Sequence, residues 1–277
     1  MFTNTVQPSI VSLFSSTSSE PLSLFSQQQD GSLAEDSFIH FLNDASSLPP
    51  PNRPAVLCSM PAVDSEHDES NIGYGLHQTV LHIQSPTLRM TFIQCPPSAG
   101  AGIRDLGLKH KWLHLQVRNI GREWSFDIGI VDKSGKRGIV RCSTFQKEPK
   151  LTTNLVPNTQ PVLHLPLAFP QPSSRPLTAW TTIALNLPSL IPHFNSPAIR
   201  NQLDDDDDDD DDDDNDANRR DINRPRIFST ANVPVPSGPY SHLSYIKVHA
   251  TCRLRRIWLS DFPSDSQVPW EFELYGA

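Results

Sequence analysis

Three arginines fall within four positions in the stretch HATCRLRRIWLSD, residues 249–261, beside one cysteine and one tryptophan. Arg253, Arg255 and Arg256 could grip phosphate, could dock on an acidic protein surface, or could form the wet face of a strand. Further cations stand in the segment DKSGKRGIVR: Lys133, Lys136, Arg137 and Arg141, with Arg118 and Arg122 just before them. Lys133, Lys136, Arg137, Arg141, Arg253, Arg255 and Arg256, taken as one set with Trp258, are the candidate electrostatic face for an acidic partner. Nucleic acid is the alternative partner, since arginines engage phosphate well, although single-strand binders interleave their cations with stacking aromatics. Here Trp258 and Trp112 alone fit that role by strand parity.

Catalytic and metal chemistry has little support. The chain lacks a G-x-S-x-G elbow, an H-E-x-x-H helix and a Gly-rich phosphate loop. Its four cysteines (Cys58, Cys95, Cys142, Cys252) stand far apart, with no close pair of the kind that presents two ligands to zinc. Reduced, buried thiols are the expectation, and neither catalytic residues nor a cofactor or metal site is assigned. Five tryptophans (112, 124, 180, 258, 270) raise a sugar-stacking reading, but filling the core and ends of a sandwich explains them better.

The charge balance depends on one segment. Asp204 to Asp214 is an unbroken run of eleven aspartates, and removing its charges from the formal −8 leaves +3. The foldable part is therefore mildly basic. Such a run repels itself into a solvated state and reads as a loop rather than a calcium site, which needs spaced ligands and turns. No apolar stretch approaches a membrane span, and the segment MFTNTVQPSIVSLFSS lacks the basic start of a signal peptide.

Period-two alternation supplies the elements that must position these residues. KWLHLQVR predicts a half-buried strand, with Leu113, Leu115 and Val117 inward and Trp112, His114, Gln116 and Arg118 outward. WSFDIGIVDKSGKRGIVRCSTF predicts a hairpin turning at 132–136, with Phe126, Ile128, Ile130, Val140 and Cys142 inward. Strands are also expected at 78–84, at 88–95 (Leu88, Met90 and Phe92 inward), at 180–187 and at 244–254. Shorter strands are expected near 9–14, 22–25 and 271–275. In the last long strand Ile246, Val248, Ala250, Cys252 and Leu254 share the core face. The parity then breaks, and a one-residue bulge at Arg255–Arg256 restores it, leaving Arg256 and Trp258 outside as a cation–π pair.

Many short antiparallel strands with polar outer faces predict an all-β sandwich, a single domain over 1–277. Loop or disordered insertions are expected at 26–75, 147–161 and 195–239, with a weak helix pattern at 33–43 inside the first.

The blocks TFIQCPP, LGLKHKWLHLQVRNIGREWSFDIGIVDKSGKRGIVRCSTFQ, WTTIALNLPSL and YIKVHATCRLRRIWLSDFPSDSQVPWEFELY, with MFTNTVQPSIVSLFSS at the start, resemble the cilia- and flagella-associated protein 20 domain family. The resemblance spans about 170 residues, enough for one sandwich, and the irregular segments fall between its blocks. It implies a jelly-roll-like, non-enzymatic β-sandwich. It further implies a place at the inner junction of ciliary doublet microtubules, on the tubulin lattice beside a parkin-coregulated-type protein, and at basal bodies. Some relatives are connected with nuclear RNA processing or transcription, which is the alternative.

Overall fold

The computed structural model describes residues 1–2, 5–50, 78–97, 105–153, 159–169, 179–200, 234–263, 269 and 272. The all-β sandwich expected from the pattern is found, built from two sheets. The first runs in the order β11 (Trp180–Asn186), β6 (Trp112–Arg118), β13 (Cys252–Ser260), β4 (Thr79–Gln84) and β3 (Phe38–Asn43), and β1 (Ile10–Ser15) also pairs with β13. The second runs β2 (Ser26–Gln28), β5 (Phe92–Cys95), β12 (Tyr240–His249), β7 (Ser125–Asp132), β8 (Arg137–Ser143), β10 (Val162–Pro166) and β9 (Lys150–Thr152).

The alternate apolar positions of both sheets meet in one core. Leu113, Leu115 and Val117 of β6, Phe126, Ile128 and Ile130 of β7, and Val140 and Cys142 of β8 all lie in it. Each fully buried Leu or Ile there contributes on the order of 1.5–3 kcal/mol of burial free energy. Two four-residue helices, α1 (Leu187–Leu190) and α2 (Pro197–Arg200), flank a 3-10 turn at Ile191–Asn195. Leu187, Leu190, Ile191 and Phe194 from this segment join the core.

Several expectations about elements are corrected. The strand expected at 244–254 is two strands in different sheets, β12 and β13, with the crossing at 250–251. Its apolar parity runs unbroken through Ala250 because both strands face the same core. Within 26–75, read as a loop with a weak helix at 33–43, the chain forms β2 and β3. The spacing of Ile39 and Leu42 mimicked a helix because β3 buries residues on both faces: Ile39 enters the main core, whereas Leu42 packs with Val80 and Trp180. Within 147–161 the chain forms β9, and β10 follows directly. β9 runs antiparallel to β8 two strand positions away, and β10 fills the place between them, so β10 lies parallel to β8. The second sheet is therefore mixed. In β5 it is Ile93 and Cys95 that enter the core, and Met90 is exposed, because 88–91 form a turn ahead of a shorter strand. The strand expected near 22–25 begins at Ser26, and the one near 271–275 falls largely outside the described residues.

Candidate interaction surfaces

The arginines of β13 do not form a solvated face. Arg253 donates through Nη1 to the carbonyl and to Oδ1 of Asp44, at 2.8 Å each, and through Nη2 to Ser47 Oγ at 2.7 Å. Its register partner on β6 is Arg118, which donates to the same Oδ1 at 2.9 Å. Like charges directly opposite on neighbouring strands repel, and the Asp44 carboxylate between them reverses the sign of that contact. Trp180 Nε1 donates to the other oxygen at 2.7 Å, and the Asp44 side chain is fully buried. One carboxylate thus ties the end of β3 to β6, β11 and β13.

Arg255 sits where the sequence placed a bulge. The pairing of β13 with β6 shifts register between Leu254 and Arg256. On its other side β13 pairs with β4 up to Leu254 and with β1 from Arg256 onward. Arg255 occupies the handover, 8 % exposed, and donates to Gln78 and Gln116 side-chain carbonyls. The extra residue restores parity as expected, so that Ile257 and Leu259 enter the core.

The expected Arg256–Trp258 pair is not formed. Arg256 lies 4.9 Å from the ring of Phe272 instead. Trp258 is 1 % exposed, stacked on its register partner His114 with ring centroids 4.8 Å apart and capped edge-on by Phe272 at 5.1 Å. Gln116 donates to the Phe272 carbonyl, so residue 272 closes this face from outside. The Trp258 ring is therefore covered against base or sugar stacking. Burial pushes His114 down to about 4, against an opposing hydrogen bond to the Phe262 carbonyl, and the stacked imidazole is neutral near pH 7. Alternation correctly separated core from outer positions here. What it could not show is that the outer positions form a second, polar interior.

The hairpin cations lie on the other sheet. Asp132 anchors their turn: Oδ1 accepts from Ser134 N, Ser134 Oγ and Lys136 N, and Oδ2 from Ser237 N and Gly238 N. Gly135, at φ +81, supplies the left-handed residue the turn requires. Lys133 is exposed at the tip, and Lys136 Nζ donates to Ser237 Oγ at 3.1 Å. Arg137 pairs with Asp105 at 2.9 Å. Arg141 donates through Nε and Nη2 to the two oxygens of Asp127, both at 2.7 Å. Burial raises the Asp127 carboxyl, but the Arg141 bonds and His249 outweigh it and hold the group at about 2. The eight predicted surface residues are thus divided between opposite outer faces of the sandwich. Arg253, Arg255, Arg256 and Trp258 belong to a closed polar layer; Lys133, Lys136, Arg137 and Arg141 belong to the second sheet and its turn.

Register brings together a polar row that the sequence did not reveal. Lys247 on β12 pairs with Asp127 on β7, Asp127 with Arg141 on β8, Arg141 with His164 on β10, and His164 with Lys150 on β9. On the far side Lys247 pairs with Gln94. All but Asp127 are partly exposed. The Lys247 ammonium lies 3.5 Å from the Phe92 ring centroid. Its pKa is lowered by burial, partly offset by Asp127. Beside this row the half-buried Tyr245, Ile139 and Val162 form an apolar strip, with Gly129 between Tyr245 and Ile139 in the pairing. A Cβ on Gly129 would fall 2.4 Å from the Tyr245 ring, so the glycine lets that ring lie flat against the sheet. Parity did put Lys247 outside, but Lys150 and His164 lie on strands that the polar, Pro-containing sequence concealed.

Cys95, Cys142 and Cys252 are free and buried, and burial pushes each thiol up to about 12, which removes thiolate character near neutral pH. Cys58 and the run Asp204–Asp214 lie outside the described residues. Among the described residues no three metal-ligating side chains cluster, and no helix is long and apolar enough to cross a membrane.

Comparison with known proteins gives the fold a family. The chain is 24 % identical over 201 residues, 72 % of its own length and 75 % of the relative's, to cilia- and flagella-associated protein 20 of Chlamydomonas reinhardtii. The CFA20 domain matches residues 52–197, a span that carries β4 to β11 with the hairpin and β6 at its centre. With more than half of its length inside that match, the chain belongs to the CFA20 domain family.

Proposed function

We propose that this protein is a non-enzymatic structural component of cilia and flagella. Its place is the inner junction of doublet microtubules, on the acidic tubulin lattice beside a parkin-coregulated-type protein. The observation that carries this reading is the likeness to cilia- and flagella-associated protein 20 across about three quarters of both chains. A surface of the right sign supports it: Lys133 at the turn tip and the Lys247–Arg141–Lys150 row are on the same sheet. Weak screened contacts of this kind, repeated along a periodic lattice, add up to avidity without a deep pocket.

The test has two arms. A tagged protein in a ciliated cell is expected along the axoneme, and exclusion from cilia would refute the ciliary role. In co-sedimentation at low salt, the chain is expected to pellet with microtubules and a Lys133→Glu/Lys136→Glu variant to pellet about threefold less, with the difference vanishing at high salt. Equal pelleting would remove the turn from the contact. Arg253, Arg255 and Arg256 are unsuitable targets, because their substitution breaks the closed polar layer.

A further inference from the structure

The geometry points to the outer face of the seven-stranded sheet as a docking site for an extended, acidic protein segment that also carries apolar side chains. This deepens the lattice-binding reading and rests on it. The cations of the row stand on alternate strands: Lys247 on β12, Arg141 on β8 and Lys150 on β9, separated by Asp127 on β7 and His164 on β10. Strands lie about 4.8 Å apart, so successive cations are about 10 Å apart. A segment in the extended polyproline II conformation rises about 3.1 Å per residue with three residues per turn, so carboxylates three residues apart lie on one side of it at nearly that interval. A segment crossing the strands along the row can therefore set one carboxylate over each cation.

Three further features fit that occupant. Asp127, the one acidic member of the row, has its side chain 5 % exposed and both oxygens committed to Arg141, so it presents little negative charge to a ligand. The same two bonds fix the guanidinium plane and leave Arg141 Nη1 as the donor for an incoming carboxylate, a preorganised arrangement that lowers the entropy cost of binding. The parallel strip of Tyr245, Ile139 and Val162 offers apolar contact to the intervening side chains of the segment. Charge complementarity with an apolar margin specifies a peptide that carries both acidic and apolar side chains, and a bare phosphate would leave that strip unused.

The probe is a fluorescein-labelled peptide of repeating Glu-Glu-Phe, followed by anisotropy against the full chain. Two further proteins are compared: the full chain with Lys247→Gln and Lys150→Gln, and the full chain with Asp204–Asp214 replaced by a Gly-Ser linker. Glutamine retains most of the lysine stem, and unchanged near-UV dichroism confirms that the variant is folded. Saturable binding by the full chain, weakened about tenfold in the double variant and unchanged in an Arg122→Gln control, is the expected result. Absence of binding by both the full chain and the linker protein overturns the proposal. So does equal binding by the double variant. Binding by the linker protein alone overturns it too, because the row then serves the chain's own aspartate run. None of these outcomes depends on axonemal localisation, so failure here leaves the ciliary reading separately testable.

Discussion

At the scale of single residues, Asp44 has the largest predicted effect. It is fully buried and serves Arg253, Arg118 and Trp180 together. Removing one partner of a buried charge cluster leaves the others uncompensated, so Asp44→Ala is expected to cost about 3–5 kcal/mol in urea denaturation. A loss below about 1 kcal/mol would mean that the arginines find water instead. Ionisation gives a second expectation. Between its ordinary 6.5 and the folded value of about 4, His114 binds a proton in the unfolded chain and refuses it in the folded one. Stability must therefore fall as pH drops through that window. Asp127 acts lower down: its contribution is present above about 3.8 and is lost as pH falls toward about 2. The urea midpoint should be lower at pH 5 than at pH 7, with His114→Gln reducing the difference. The remaining slope belongs to His82, His40 and His164, which burial shifts in the same direction. An undiminished slope in His114→Gln would show that this histidine is not the group responsible. Neither role was legible in the sequence, where Asp44 lies in a segment read as loop and His114 looks like an outer strand residue.

At the scale of elements, the bulge at Arg255 sets the register of the strand that three others share. Deleting Arg255 would turn Ile257 and Leu259 out of the core and Arg256 and Trp258 into it. Loss of near-UV dichroism and of soluble protein is the expected outcome, far more severe than Leu254→Ala, which should cost about 2–5 kcal/mol. If the deletion variant kept a native spectrum, the register would have to be held elsewhere. This bulge was readable from sequence because a parity break between two apolar runs has few other physical solutions. The long hairpin β7–β8 and strand β6 were readable for the same reason. β2 and β9 were not, because each is three residues long and too short to show a period. β3 was hidden by burial on both faces, and β10 by its proline and by the polar connection before it. The candidate site suffered from the same limit. Alternation separates inward from outward side chains but carries no information on which outward face another part of the chain covers, so two faces were merged into one.

At the scale of the whole molecule, the two outer faces differ in kind. One is closed by Phe272, Asp44 and Gln78, while the other keeps a partly exposed row of cations. The aspartate run hides this from any bulk measurement. Replacing Asp204–Asp214 with an uncharged linker moves the formal net charge from −8 to +3, so the variant should bind a cation exchanger at neutral pH where the parent does not. Its unfolding free energy should stay within about 0.5 kcal/mol of the parent, as for other surface changes. A large loss would show that the run supports the fold.

The handover of β13 from β4 to β1 has a consequence for synthesis on the ribosome. β1 spans Ile10–Ser15 and finds its partner only in Arg256–Ser260, and β4 and β6 wait for that same strand. The first sheet therefore lacks its middle until β13 has been translated. Contacts of such long sequence separation close slowly. Until they do, the growing chain presents the unpaired edges of β4 and β6 to the cell. Early on, this protein is a natural client for chaperones, and a stop codon anywhere before residue 252 should yield an insoluble product rather than a smaller domain.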